Sequence, residues 1–133
     1  MVKEDLNLRK AKMADVPHIH ALVNSFATQG EMLGRSRSEL YEGLRDFFVV
    51  EKAGVIIGCS ALHINWEDLA EVRSLAVVPQ VQGKGVGKTL VNACLEEARE
   101  LGIARVYALT YRPGFFETVG FSKVPKETLP HKV

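Results

Sequence analysis

The chain of 133 residues is 47% hydrophobic and 25% charged, which is typical of a globular protein and suits one domain, predicted over residues 1–133. Its formal net charge of +1 supplies no basic field for nucleic acid or a membrane surface. No apolar run approaches the roughly 20 residues that span a bilayer, and the charged N-terminus is unlike a signal peptide. We therefore expect a soluble cytoplasmic protein that binds neither nucleic acid nor membrane.

The first third of the chain predicts one strand and two helices. Residues 6–11 alternate apolar and polar side chains, as a strand does. Asp15 is predicted to cap a following helix. Ser36 and Glu39 have capping-box spacing, which predicts a short second helix. The first helix has an apolar face at i, i+3, i+4 and i+7, formed by Ile19, Leu22, Val23 and Phe26.

The rest of the chain predicts a sheet interrupted by helices. Strands are expected at 47–52, 55–64 and 71–78, a long helix at 86–101 ended by Gly102, a strand at 105–109, a short helix at 115–119 and a last strand from Gly120. The order β-α-α-β-β-β-α-β-α-β predicts an α/β (α+β) fold. A mixed β-sheet would carry helices on both faces.

Cysteines and histidines indicate no metal site. Cys59 and Cys94 lack C-x-x-C spacing and are expected to be buried thiols in a reducing compartment. No histidine has metal-ligand spacing, and each is expected to be structural or solvated. The histidines are His18, His20, His63 and His131.

A glycine-rich turn between a predicted strand and the long helix is the most informative motif. Its glycines, Gly83, Gly85 and Gly87, fit neither the Walker phosphate loop nor the G-x-G-x-x-G dinucleotide fingerprint. Glycines allow close backbone approach, and a helix N-terminus offers unpaired N–H groups to an anion. The turn therefore predicts a phosphate site, with an ordinary strand-to-helix turn as the alternative.

The chain resembles the GNAT acetyltransferase superfamily. The turn matches its pyrophosphate loop as Gln82-x-x-Gly85-x-Gly87. Arg9-x-Ala11-x-x-x-Asp15 resembles its opening motif, and residues 115–121, Phe-Phe-Glu-Thr-Val-Gly-Phe, resemble its closing motif. Residues 29–40 and 109–116 are similar to the N-acetylglutamate synthase type of amino-acid acetyltransferase, in its short form.

The resemblance implies acetyl-CoA as cosubstrate and no metal. In this superfamily the fourth and fifth strands splay apart, and the fourth strand then pairs with the pantetheine arm. Lys84 and Lys88 could add charge at the phosphates or could be ordinary solvated lysines. The implied cofactor-binding residues are Leu75, Ala76, Val77, Gln82, Gly83, Lys84, Gly85, Val86, Gly87, Lys88 and Phe116.

For the acid and the base, the resemblance implies candidates that each have an alternative. Glu71 stands where many GNAT enzymes place the residue that takes the amine proton, or it is a solvated strand-end carboxylate. Phe116 replaces the tyrosine that often protonates the leaving thiolate. Tyr111 is a substitute acid or a half-buried aromatic. No acid is required if the thiolate of coenzyme A leaves unaided.

An amino-acid acceptor carries a carboxylate, which arginine binds through two parallel hydrogen bonds. The candidates are Arg112, Arg35 and Arg73, although a lone arginine is usually a surface ion-pair partner. The predicted reaction acetylates the α-amine of an amino acid, L-glutamate first, as in arginine biosynthesis. Alternatives are another acceptor (a polyamine, drug amine or protein N-terminus) and a non-catalytic acetyl-CoA-binding regulatory module. The resemblance also makes a homodimer an expected partner arrangement.

Overall fold

Five strands and four helices make up the part of the chain described by the computed structural model, residues 6–125. The strands are β1 (Leu6–Lys10), β2 (Phe47–Lys52), β3 (Val55–Trp66), β4 (Leu69–Val77) and β5 (Arg105–Tyr107). The helices are α1 (Val16–Ala27), α2 (Arg37–Glu42), α3 (Val86–Leu101) and α4 (Pro113–Thr118). Short 3₁₀ turns precede α1 (Met13–Asp15), β2 (Leu44–Asp46) and α3 (Pro79–Val81).

The sheet follows chain order, β1-β2-β3-β4-β5. The first four strands are antiparallel, and β5 runs parallel to β4. A parallel neighbour needs a crossover connection, and α3 provides it. The predicted mixed sheet is therefore confirmed.

Helices cover both faces of the sheet, as predicted. Alternate strand residues face opposite sides, so that Ala61 of β3 packs with α1 and α2 whereas Leu62 packs with α3 and α4. The apolar stripe of α1 packs on the sheet face that carries Ala61, where Ile19 and Val23 are fully buried. The stripe of α3 covers the opposite face. Its Val91, Cys94 and Ala98 pack in the cluster of Leu62, and its Val86 and Leu90 pack with Val50 and Ile57. The stripe ends at Ala98, since Leu101 is exposed.

Local capping explains where the helices start and stop. Ser36 accepts a hydrogen bond from the Glu39 N–H, and the Glu39 carboxylate accepts one from the Ser36 N–H, which confirms the predicted capping box. Gly102 ends α3 in the left-handed conformation at φ +80°.

Asp15 occupies the N-cap position of α1, as predicted, but its side chain does not cap the helix. Its carboxylate makes no capping bond to α1. It accepts bonds from both terminal nitrogens of Arg9, at 2.7 and 3.0 Å, and from the Lys12 N–H at 2.7 Å. The residue ties β1 to the turn before α1 because the partly buried guanidinium of Arg9 competes for the same carboxylate oxygens.

Two strand predictions differ from the structure. Strand β5 ends at Tyr107 and not at residue 109. The last predicted strand does not begin at Gly120, because residues 121–125 follow α4 without strand structure. Residues beyond 125, including His131, lie outside the described part.

Both cysteines are buried thiols, as predicted. The Cys59 thiol lies 3.5 Å from the Ser74 carbonyl oxygen, and the Cys94 thiol lies 3.7 Å from the Ser60 hydroxyl.

Within residues 6–125, no helix has the length and apolar character to cross a bilayer.

Candidate active site

The sheet opens between β4 and β5. Their parallel pairing runs from Leu69 opposite Arg105 to Glu71 opposite Tyr107 and then stops. Strand β4 continues for six residues to Val77, while Ala76 and Val77 stay paired with β3 on the other side. Its edge toward β5 is therefore left for another extended chain along Leu75, Ala76 and Val77. A pantetheine arm, which carries two amides, can use such an edge.

A bulge in β4 lies at the start of this open edge. Cys59 pairs with Ala76 and Ala61 pairs with Arg73, so that Ser74 and Leu75 together face Ser60. Ser74 adopts φ +57°, a left-handed conformation that costs a non-glycine residue about 1–3 kcal/mol. Bulges bend a strand and redirect its side chains. Here the bulge separates the Glu71–Arg73 segment from the segment of the open edge.

The glycine-rich turn follows β4 directly. The side-chain amide of Gln82 donates to the Val77 carbonyl oxygen at 3.0 Å and ties the turn to the strand end. Gly83 and Gly85 adopt φ +83° and +88°, where a side chain would be strained. Helix α3 then starts at Val86, and its first N–H groups point back toward the turn. Its dipole adds partial positive charge that favours a phosphate there.

Gly87 has a second role in packing. A Cβ atom at Gly87 would lie 3.2 Å from the Phe115 ring, so the glycine lets α3 and α4 approach closely. Phe116 is buried among apolar side chains, with its ring 5.2 Å from those of both Phe115 and Phe121. This position does not favour direct contact of Phe116 with a cofactor. The exposed lysines Lys84 and Lys88 flank the turn.

Charged residues gather on the α1–α2 face beside the bulge. Ala70 and Val72 pack against α3. Glu71 and Arg73 alternate with them along β4, so both charged side chains face the side of the sheet that α1 and α2 cover. Their charged atoms lie 3.7 Å apart. Only 13% of the Glu71 side chain is exposed. The sheet therefore holds Glu71 as an enclosed carboxylate, unlike a solvated strand end.

Arg35 reaches the same place from the loop between α1 and α2. Its Nε atom lies 3.4 Å from the Ser74 hydroxyl, and its side chain is 19% exposed. Burial, followed by the positive charge of Arg35, lowers the pKa of Arg73 below its usual value. Two guanidinium groups thus lie near each other in a partly buried site. The Arg35 backbone is fixed by Asn24, which donates to its carbonyl oxygen and accepts from its N–H.

Arg112 stands apart from this pair. It precedes α4, its side chain is 64% exposed, and its guanidinium lies 2.9 Å from the Glu31 carboxylate. Glu31 belongs to the loop that carries Arg35. Tyr111 is 79% exposed, so the half-buried alternative for this tyrosine is wrong.

Sequence reasoning missed two side chains around Glu71. Tyr107 lies opposite it on β5, and its hydroxyl donates to the Asn65 side-chain oxygen at 3.2 Å. Burial and then the charge of Glu71 raise the pKa of Tyr107 to about 12. His63 lies opposite Glu71 on β3. Strand register alone reveals these neighbours, and no motif encodes it.

Within residues 6–125, no group of three or more histidine, cysteine or acidic side chains could hold a metal ion.

Comparison with known proteins identifies the architecture. Residues 17–121 match the family described as acetyltransferase (GNAT). An uncharacterized N-acetyltransferase of Chlorobaculum tepidum is 38% identical over 133 residues, which are 100% of this chain and 86% of that protein. An amino-acid acetyltransferase of Mycobacterium tuberculosis is 38% identical over 120 residues, covering 88% of this chain and 68% of the relative.

A solved structure shares the fold closely. It is N-acetylglutamate synthase from Neisseria gonorrhoeae, complexed with coenzyme A and N-acetyl-glutamate. The TM-score is 0.90 at 34% identity, over 98% of this chain and 31% of that one. The present chain therefore corresponds to about a third of that longer protein.

Proposed function

The chain belongs to the GNAT acetyltransferase family and is an acetyl-CoA-dependent N-acetyltransferase, and we propose that it acetylates the α-amine of L-glutamate. The observation that carries the choice of acceptor is the pair of guanidinium groups, Arg35 and Arg73, beside the enclosed carboxylate of Glu71. The proposal assigns this activity to a single domain over residues 1–133.

The arginine pair suits an anionic acceptor. Two like charges in a partly buried site repel each other, and a carboxylate between them would relieve that repulsion. Guanidinium groups bind carboxylates through paired, charge-assisted hydrogen bonds. A polyamine would add positive charge to the same place and is disfavoured. Arg112 would contact the second carboxylate of glutamate after exchanging its ion pair with Glu31.

Acetyl-CoA would lie along the open edge of β4. Residues 82–88 and the N-terminus of α3 would bind the pyrophosphate. Leu75, Ala76 and Val77 would pair with the pantetheine arm, and a backbone N–H there would polarise the acetyl carbonyl. In this arrangement the thioester would lie near the bulge at Ser74, next to the arginine pair. Because the N–H donor is fixed before reaction, it stabilises the developing oxyanion without reorganisation.

The chemistry needs a neutral amine and a leaving group. Glu71 would take the amine proton, directly or through a water molecule. The nitrogen lone pair then attacks the thioester carbon, and the C–S bond breaks with its electron pair on sulfur. Phe116 has no hydroxyl to protonate that sulfur, and the exposed Tyr111 belongs to the loop after β5. We propose that the thiolate leaves without a required side-chain acid.

The relatives support an amino-acid acceptor. One is called an amino-acid acetyltransferase, and the structural neighbour was solved with N-acetyl-glutamate. We therefore place the reaction in arginine biosynthesis, with N-acetylglutamate as the product. A homodimer stays a prediction that analytical ultracentrifugation can test.

The test is release of free thiol from acetyl-CoA with a panel of acceptors. The panel contains glutamate, glutamine, aspartate, lysine and spermidine. We expect the highest kcat/KM with glutamate. Faster turnover of lysine or spermidine would refute the glutamate proposal and indicate another amine acceptor. Tight coenzyme A binding without release of thiol from acetyl-CoA in the presence of any acceptor would indicate a non-catalytic binding module.

A further inference from the structure

Three residues on neighbouring strands form a row across the sheet. His63 on β3 lies opposite Glu71 on β4, and Glu71 lies opposite Tyr107 on β5. Opposite residues project from the same face, and across an antiparallel pair their Cβ atoms lie about 4.5–5.5 Å apart. His63 is therefore a direct neighbour of Glu71 on the face that carries the arginine pair.

His63 is also paired with a carboxylate. Its Nδ1 atom lies 2.9 Å from Oδ2 of Asp46, at the end of the turn before β2. An ionised carboxylate only accepts hydrogen bonds, so in the neutral imidazole Nδ1 carries the hydrogen and Nε2 keeps a lone pair. Asp46 thus fixes the tautomer and would stabilise the imidazolium if Nε2 took a proton.

The row becomes more exposed toward His63. The Glu71 side chain is 13% exposed, whereas the His63 side chain is 38% exposed. On the other side of Glu71, Tyr107 is buried and its hydroxyl already donates to Asn65. Of these two strand neighbours of Glu71, His63 reaches solvent and Tyr107 is buried.

We propose that His63 is a proton relay that carries the acceptor's proton from Glu71 to solvent. This inference rests on the proposed function, in which Glu71 is the base. An ammonium acceptor loses two protons: one ends on the thiolate of coenzyme A, and the other must leave the site. The second proton passes from the acceptor nitrogen to the Glu71 carboxylate and then to Nε2 of His63. The imidazolium gives it to water, and both groups return to their starting states.

The test compares His63→Ala with His18→Ala, a matched change at an exposed histidine of α1. Thiol release is measured with the acceptor that gives the highest turnover in the panel, so a wrong acceptor does not affect the outcome. We expect kcat of His63→Ala to fall at least about tenfold, since positioned proton transfer contributes about 10²–10⁴-fold. The KM values for acetyl-CoA and acceptor should stay within about twofold. Added imidazole should restore kcat in His63→Ala and leave the control unchanged.

Imidazole rescue separates a relay from a structural role, because a small base cannot repair packing. Asp46→Asn provides a second variant if His63→Ala fails to fold. On its own it should lower kcat while KM stays unchanged. In a His63→Ala protein that does fold and is rescued by imidazole, it should have no further effect. Wild-type kcat in His63→Ala, or lost kcat that imidazole does not restore, would overturn the relay while leaving the acetyltransferase assignment intact. Absence of turnover by the wild-type protein with every acceptor would overturn both the relay and the proposed function.

Discussion

Replacing Arg35 by alanine tests the acceptor site most directly. The Arg35 side chain is 19% exposed, and its positive charge lies near Arg73, the ion-pair partner of Glu71. Truncating one partner of a buried, hydrogen-bonded charge pair costs about 2–5 kcal/mol. Because Arg73 stays in the site and the site is partly solvated, we expect the lower end. About 2 kcal/mol corresponds to a rise of about thirtyfold in the KM for glutamate.

The free protein should tolerate the same change. Removing Arg35 relieves its repulsion with Arg73, which offsets the loss of its contacts with Ser74 and Glu39. We expect the free energy of unfolding to change by less than about 1 kcal/mol. A carboxylate site thus predicts lost acceptor binding in a protein that is still stable.

The assay is steady-state thiol release, with glutamate and acetyl-CoA varied in turn. Arg37→Ala is the matched control, because Arg37 lies two residues away and contacts only the exposed Tyr41 among the bonds described for it. The KM for acetyl-CoA should be unchanged in both variants. Equal glutamate KM in Arg35→Ala and wild type would refute the reasoning. An equal rise in both KM values would instead indicate damage to the fold.

Four further changes test the remaining assignments. Gly87→Glu should abolish coenzyme A binding, as measured by calorimetry. Gly87→Ala, which only crowds the neighbouring aromatic ring, should retain binding. Unchanged affinity in Gly87→Glu would contradict the phosphate site. Tyr111→Phe should lower kcat less than tenfold, and a hundredfold drop at constant KM would identify that tyrosine as the acid. Arg112→Ala should raise the KM for glutamate more than that for acetyl-CoA, less steeply than Arg35→Ala because this arginine is exposed. Asp15→Asn should lower the free energy of unfolding by about 1–3 kcal/mol at pH 7. Hydrogen bonds from its guanidinium partner lower the pKa of Asp15, so this contribution is complete above about pH 4 and is lost as pH falls further. Urea titrations should therefore show a larger difference between wild type and variant at pH 7 than at pH 3.

The sequence predicts the elements that have local signals. The apolar stripe of α3 and the capping box at Ser36 are periodic or short-range patterns, and both are confirmed. The strand-to-helix turn with three glycines is another, because positive φ angles and a helix start are encoded within a few residues. Asp15 holds the predicted N-cap position of α1, but its side chain makes no capping bond because Arg9 is a stronger partner for the carboxylate than an N–H of the helix.

The geometry of the site depends on long-range register, which no local pattern encodes. The left-handed Ser74 lies inside an ordinary apolar strand pattern, and nothing in its neighbours predicts a bulge. The Arg112–Glu31 and His63–Asp46 pairs join residues 81 and 17 positions apart. Such pairs are determined by the folded chain, so sequence reasoning could name candidate residues without placing them together.

The burial of both cysteines affects how the protein can handle a reactive thioester. Burial raises the pKa of the Cys59 thiol to about 12 and that of the Cys94 thiol to about 11. At pH 7 both side chains are therefore almost entirely in the thiol form. Since the thiolate is the nucleophile, neither cysteine competes with the acceptor amine for the acetyl group or forms a mixed disulfide with coenzyme A. Thiol reagents should therefore report released coenzyme A against a low background from the folded protein.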